Sequence, residues 1–260
     1  MDENKTINTS FNTSIPPAVD NAIKNLSDKP TANIGTTIAD IWYIVFGWVS
    51  NIADKKRIKY AQSLEQFREE LSSSVSKISP EKQIEPSFQT TAQALENAKY
   101  CVEEKELRDM FTSLITNSMH CDFVKDVHPS FAESIKQMSP LDAAIIKSFK
   151  NSPINGLPLC RYEMKKNNGY MTLLEDVFLH YPNTYLPSSS ISISSLVRLG
   201  LLKTSYDNWI LNDDLYLPFA EHFWFKMLQR ELPNENVSIH KGLVCLTELG
   251  RSFIKVCVPD

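Results

Sequence analysis

Glycine is scarce in this chain, with seven residues in 260. None builds a phosphate-cradling loop or a G-x-S-x-G nucleophile turn, and no H-E-x-x-H occurs either. The common nucleotide-binding, hydrolase and zinc-protease signatures are therefore excluded. Cysteine is also sparse: Cys101, Cys121, Cys160, Cys245 and Cys257 are odd in number, widely spaced and without a C-x-x-C pair. That argues against a disulfide framework or zinc ribbon and for reduced, mostly buried thiols in a cytosolic protein. The opening Met-Asp-Glu-Asn-Lys lacks the basic and apolar regions of a secretory signal. A net charge of -4 gives no global pull toward nucleic acid or anionic lipid, so any such contact has to be local.

What is present is mostly helical pattern. Residues 1–17 are rich in Asn, Thr and Ser and bury almost nothing, which predicts a disordered tail. A short helix is expected over residues 18–26. Thr37 with Asp40 three positions on reads as a capping arrangement opening a helix. The nine apolar residues 41–49 follow without a break. Apolar spacing then continues through Ala61, Leu64, Phe67, Leu71, Val75 and Ile78. One long helix, or two joined near Gly47 or Lys55-Lys56-Arg57, is expected. Its first half is apolar all round and so should be covered on every side. Further helices are expected over residues 87–101, 103–119 and 131–138.

At Ser139-Pro140-Leu141-Asp142 the texture changes to a strong helix start. A second helix is expected over residues 171–180 and a third over 191–199, stopped by Gly200. Residues 201–206 and 242–246 read as paired antiparallel strands, with one helix inserted between them over 218–231. Thr247 caps a closing helix. Three helices, a two-stranded wing and a last helix make the order of a winged helix-turn-helix.

Each constellation has a plainer alternative. The third helix would face a partner or DNA with Ser190, Ser192, Ser195 and Arg198. Base readout favours Arg, Lys, Asn and Gln, and residues 138–260 balance twelve cations against twelve anions. Duplex DNA is therefore the lesser alternative. His120, Cys121, Asp122, Asp126 and His128 cluster without a zinc spacing and read as a turn, so no metal is expected. The apolar run covers about 13 Å against about 30 Å of hydrocarbon. It reads as a core helix, or as a peripheral contact for lipid or protein through Trp42, Tyr43, Ile44, Phe46 and Trp48 with Lys55, Lys56 and Arg57.

Several blocks resemble the abortive infection alpha family, bacterial and phage-encoded proteins associated with defence against bacteriophage. They are residues 37–47, Lys55-Lys-Arg-Ile-Lys59, Ala94-Leu-Glu-Asn-Ala-Lys-Tyr100, Glu106-Leu-Arg-Asp-Met-Phe111, and His128-Pro-Ser-Phe131 through Met138-Ser-Pro-Leu-Asp-Ala143. The ending Leu246-Thr-Glu-Leu-Gly-Arg-Ser-Phe253 adds weaker support. The similarity spans residues 34–149 and brings no active site with it. His128-Pro129-Ser130-Phe131 is expected to turn one helix into the next, Pro129 breaking and Ser130 capping. The tail and the wing insertion match no part of the family.

The expectation is a mainly α chain: the tail over 1–17, an all-α domain over 18–137, and a winged-helix-like α+β domain over 138–260. The resemblance implies a role in phage defence; from the cysteine usage and the missing motifs the protein is expected to be intracellular and cytoplasmic, not an enzyme and without cofactor. It would act by contact with a protein or a second copy, or by peripheral engagement of the inner membrane face. A winged-helix transcriptional regulator and a membrane-perturbing toxin effector are the alternatives. No small-molecule substrate is inferred.

Overall fold

The computed structural model of the chain describes residues 32–46, 55–150, 156–179 and 186–259. The tail, the helix over residues 18–26, Gly47, Trp48 and Ile52 lie outside the described residues. So do the side chains of Thr37, Lys55, Lys56 and Arg57.

Two helices replace the single long one: α1 (Ala32–Phe46) and α2 (Lys55–Ser76). The first begins five residues before Thr37, so that residue lies inside the helix and does not open it. Its burial also departs from the expected all-round cover. Ile38, Ile41, Trp42, Val45 and Phe46 are buried, whereas Asp40, Tyr43 and Ile44 form an exposed stripe at i, i+3, i+4. A helix packed on one side only leaves such a stripe, and high apolar content does not remove it. Trp42 sits 4.5 Å from the Phe46 ring and 5.6 Å from that of Phe67 on α2. On α2, Leu64, Phe67 and Leu71 face inward while Ala61 is exposed.

Next come α3 (Phe88–Ala98) and α4 (Lys105–Ser118). The latter is the central helix: Leu107, Met110, Phe111, Leu114 and Ile115 are all buried. Arg108 is buried with them and needs partners there. Its Nε and Nη2 donate to the Glu70 carboxylate at 3.0 and 3.2 Å, and Nη1 donates to the Val102 carbonyl at 2.8 Å. The short α5 (Phe131–Lys136) follows. Ser130 stands before it but does not cap it through its side chain, since its hydroxyl is 2.7 Å from His128 Nδ1. Phe131, fully buried, meets Phe253 edge to face at 5.2 Å. In α6 (Pro140–Ser148) the expected start holds: Ser139 and Asp142 form a complete capping box.

The helix expected over residues 171–180 is instead a strand. β1 (Gly156–Lys166) and β2 (Gly169–Val177) make a hairpin, closed where Lys166 pairs with Gly169. The turn residues Asn167 and Asn168 suit a two-residue hairpin loop. Then come α7 (Leu186–Arg198), β3 (Leu202–Ser205) and β4 (Val237–Leu246), giving an antiparallel sheet in the order β2-β1-β4-β3. The β3–β4 pair is the one expected, with Leu202 opposite Leu246. The insertion between them is two helices, α8 (Leu217–Glu221) and α9 (Phe223–Glu231). His222 divides them: its backbone is extended and its Nδ1 accepts the Trp224 amide.

At the close, α10 (Glu248–Cys257) is capped by Thr247, whose Oγ1 accepts the Gly250 amide. Gly200, at φ +74°, ends α7 as expected. Its amide donates to Val197 and that of Leu201 to Leu196, the double bond pattern of a Schellman end.

Two apolar clusters sandwich the sheet. The larger joins α1 through α7 to α10 and to Leu157, Leu159 and Val244 on one sheet face. Cys160, Tyr162 and Met164 alternate onto the other face, where Tyr216, Phe219 and Phe225 of the insertion cover them.

Candidate functional site

Alternation along β1 puts Arg161 and Glu163 on the same face as Leu157 and Leu159, beyond the reach of the larger core. Arg161 pairs in register with His240 of β4, and the Leu159 pair is Gly242. The Tyr206 ring lies over that glycine, where an added Cβ would stand 2.7 Å from the ring and 2.6 Å from the Ser205 carbonyl oxygen. Stretched across the sheet, Tyr206 donates its hydroxyl proton to Asp176 Oδ1 at 2.9 Å and accepts the Asp176 amide at 3.1 Å. The Arg161 guanidinium stacks 4.2 Å from the centre of the same ring. His240 reaches two acceptors, with Nδ1 3.2 Å from Glu163 Oε2 and Nε2 3.2 Å from the Tyr206 carbonyl oxygen.

This polar shelf departs from regular backbone. Among the described residues Asp176 is the one non-glycine residue with positive φ, +49°. Between Val177 and Thr172 the β2 strand twice spends one residue more than β1, so two bulges flank the shelf. Bulges re-aim side chains, and αL geometry at a non-glycine residue stores strain. Burial pushes the Asp176 carboxyl above the usual aspartate range, against the lowering effect of the Tyr206 hydrogen bond. Burial, followed by Asp176, also pushes the Tyr206 hydroxyl up. Because Glu163, Asp176, Tyr206 and His240 come from three strands and a loop, sequence reading brought none of them together. The Asn167-Asn168-Gly169 turn was the one signal that could have revealed the hairpin on which two of them sit.

The residues nominated from sequence fall elsewhere. Trp42 and Phe46 are core, whereas Tyr43 and Ile44 are exposed, Ile44 by 71 %. On α7, Ser192 is buried, the Ser190 hydroxyl donates to the Leu186 carbonyl, and that of Ser195 donates to Asp142 Oδ2 at 3.2 Å. Arg198 is exposed and donates to Gln137 at 2.9 Å. Three of these four side chains are thus engaged inside the fold.

The family model for abortive infection alpha matches residues 59–257. The chain belongs to that family. No curated protein and no solved structure matches it. The abortive infection alpha match reaches further than the similarity read from residues 34–149: it takes in the sheet, the insertion and α10, and it leaves α1 outside. The polar shelf therefore lies within the part shared with the family, and the exposed Tyr43 and Ile44 do not. Also within the matched span, ligand atoms of His120, Cys121 and Asp122 lie within 4.8 Å of one another. Lys82 already donates to Asp122 at 2.7 Å and His120 Nδ1 accepts the Asp122 amide. Asp126 is held by Lys255, and His128 by Ser130, so neither adds to that triad.

Proposed function

We propose that the chain is a bacteriophage-defence protein of the abortive-infection type that works inside the cell by binding a protein, without catalysis. The family match over residues 59–257 carries this reading. Support for a contact mechanism comes from the apolar side chains left in solvent between β3 and β4: Trp209, Leu211, Leu217 and Phe223 are exposed, Leu211 by 90 %. The C-terminal half is read as a winged-helix derivative in which the β3–β4 pair is the wing. Its support is the order of α7, β3, β4 and α10.

A phage-sensitive bacterium carrying the full chain tests the first claim. Plaque numbers should fall on at least some phages of a broad panel, and infected cultures should collapse without releasing phage. Leu211→Asp and Phe223→Asp chains should remain folded and lose protection. A wild-type chain without effect on any phage would remove the reading.

A peripheral-membrane version has one specific support. No described helix is long and apolar enough to cross a membrane, yet Tyr43 and Ile44 project from α1 a short way before the cationic run Lys55-Lys56-Arg57. Flotation with anionic vesicles, lost in a Tyr43→Ser/Ile44→Ser chain, is its expected outcome. For a DNA-reading use, titration with duplex DNA should give a steep salt dependence.

A further inference from the structure

Arg161 is ion-paired with Glu163 and stacked on Tyr206, yet among the described residues the fold supplies no hydrogen-bond acceptor to its guanidinium. Its Nε is buried and has no hydrogen-bond partner. The nearest carboxylate oxygen, Glu163 Oε2, lies 3.7 Å from it, beyond hydrogen-bond length. Among the described residues no acceptor meets either Nη. An unpaired donor at Nε is costly because it is buried, in a side chain that is about three-quarters buried at 26 % exposure, while the Nη donors face outward without an acceptor from the fold. Yet the structure fixes its plane. The guanidinium lies on the Tyr206 ring, the ring sits in the space that Gly242 leaves open, and the Tyr206 hydroxyl is locked by a reciprocal pair of hydrogen bonds to strained Asp176. Arg108 provides the contrast within the same chain, since all three of its nitrogens have acceptors in the fold.

We infer that Arg161 is the anchor of a binding site for a small molecule bearing a carboxylate. The guanidinium edge is a planar fork that matches two coplanar oxygens, and stacking has already removed the rotamer freedom that binding would otherwise cost. Charge decides between carboxylate and phosphate. Glu163 and Asp176 flank the fork, and Glu175 acts on Asp176, so a second negative charge on the ligand meets repulsion. A singly charged planar group suits the site and a phosphate dianion does not. His240, in register beside Arg161 and drawn toward Glu163, removes part of the repulsion that Glu163 would exert on the ligand.

The test uses the full chain and two probes, sodium acetate and inorganic phosphate, at constant ionic strength. The readout is the Arg161 Nε–H cross-peak in a nitrogen–proton correlation spectrum, which a buried proton keeps visible. Acetate should shift this peak to a plateau at millimolar concentration, and phosphate should bind at least several-fold more weakly. Arg161→Lys keeps the charge without the fork and should abolish saturation, followed on the Tyr206 and His240 signals. Tyr206→Phe keeps the ring beneath the guanidinium but frees it from Asp176. It should weaken acetate several-fold, and it serves as the second variant should Arg161→Lys unfold. Straight-line shifts with acetate, or saturation unchanged in both variants, would overturn the site. Phosphate binding tighter than acetate would overturn its assignment to carboxylates.

Discussion

At Gly250 the chain has no room for a side chain: an added Cβ would stand 2.0 Å from the Leu201 carbonyl oxygen. That oxygen accepts the Thr247 amide, while the Thr247 hydroxyl donates to the Gly200 carbonyl at 2.6 Å. The Leu-Gly-Leu turn after α7 and the Leu-Thr-x-Leu-Gly start of α10 are thus one joint, and the backbone of each is part of the other. Gly250→Ala has to push the joint apart and should cost about 2 kcal/mol or more, read as a lower urea midpoint. Gly169→Ala, where nothing lies within 4 Å, should lose less, the cost there being its φ of +153° alone. Asp176 carries a different expectation. Its carboxyl titrates above the ordinary 3.8 because burial penalises the charged form. The folded chain then binds that proton more tightly than the unfolded one. Stability from this group is greatest at low pH and falls as pH rises from 3.8 through the raised value. Asp176→Asn keeps an acceptor for Tyr206 and a residue tolerant of αL. Its unfolding free energy should match that of the wild type below about pH 4 and exceed it at pH 7. A wild-type advantage at pH 7 would show the carboxylate to be favoured there.

Among the elements, α1 shows how an apolar run can mislead. Nine consecutive apolar residues suggested a helix with no wet side, but helical geometry sends only part of any run toward the core. Trp42→Ala removes a ring packed on Phe46 and Phe67 and should cost about 3–5 kcal/mol. Tyr43→Ser or Ile44→Ser, at 42 % and 71 % exposure, should change the melting temperature little. A membrane or partner test built on Trp42 and Phe46 would therefore report unfolding, and the pair Tyr43 and Ile44 is the one to change. Elements whose signals are local were legible: the Ser139 capping box, the Gly200 stop, the Thr247 cap and the β3–β4 ladder. Residues 171–177 were not, because Met171, Leu174 and Val177 fit a helical spacing as well as a strand, and only pairing with β1 separates the two. The polar shelf was illegible for a related reason. Its five side chains are separated by up to 79 positions, from Arg161 to His240, and only the register of the hairpin against β4 makes them neighbours.

For the molecule as a whole, the question is whether residues 138–260 form a separate folding unit. The larger core gives no seam at that boundary. Phe253, Val256 and Cys257 of α10 are buried in the same cluster as Leu107, Phe111 and Leu114 of α4. Phe131 meets Phe253, and the Asn117 side chain donates to the Val256 carbonyl at 2.7 Å. Two polar pairs also cross the boundary, Lys255 with Asp126 and Arg198 with Gln137. A chain cut after Gln137 would strip α4 of its α10 cover and expose Phe131 on one piece and Phe253 on the other, each worth about 3 kcal/mol of lost packing. Such a loss is comparable to the whole stability of a small domain. Urea unfolding of the full chain should therefore give one cooperative transition, with near-ultraviolet dichroism and tryptophan emission changing together. Residues 138–260 expressed alone should aggregate or lack the near-ultraviolet signal. The smaller cluster is the one place where independence is expected. Tyr216, Phe219 and Phe225 pack only on the far sheet face, so the insertion should show amide exchange well before α4 does. Two resolved urea transitions, or a stable fragment 138–260, would mean that the contact between α4 and α10 is a docking surface between domains.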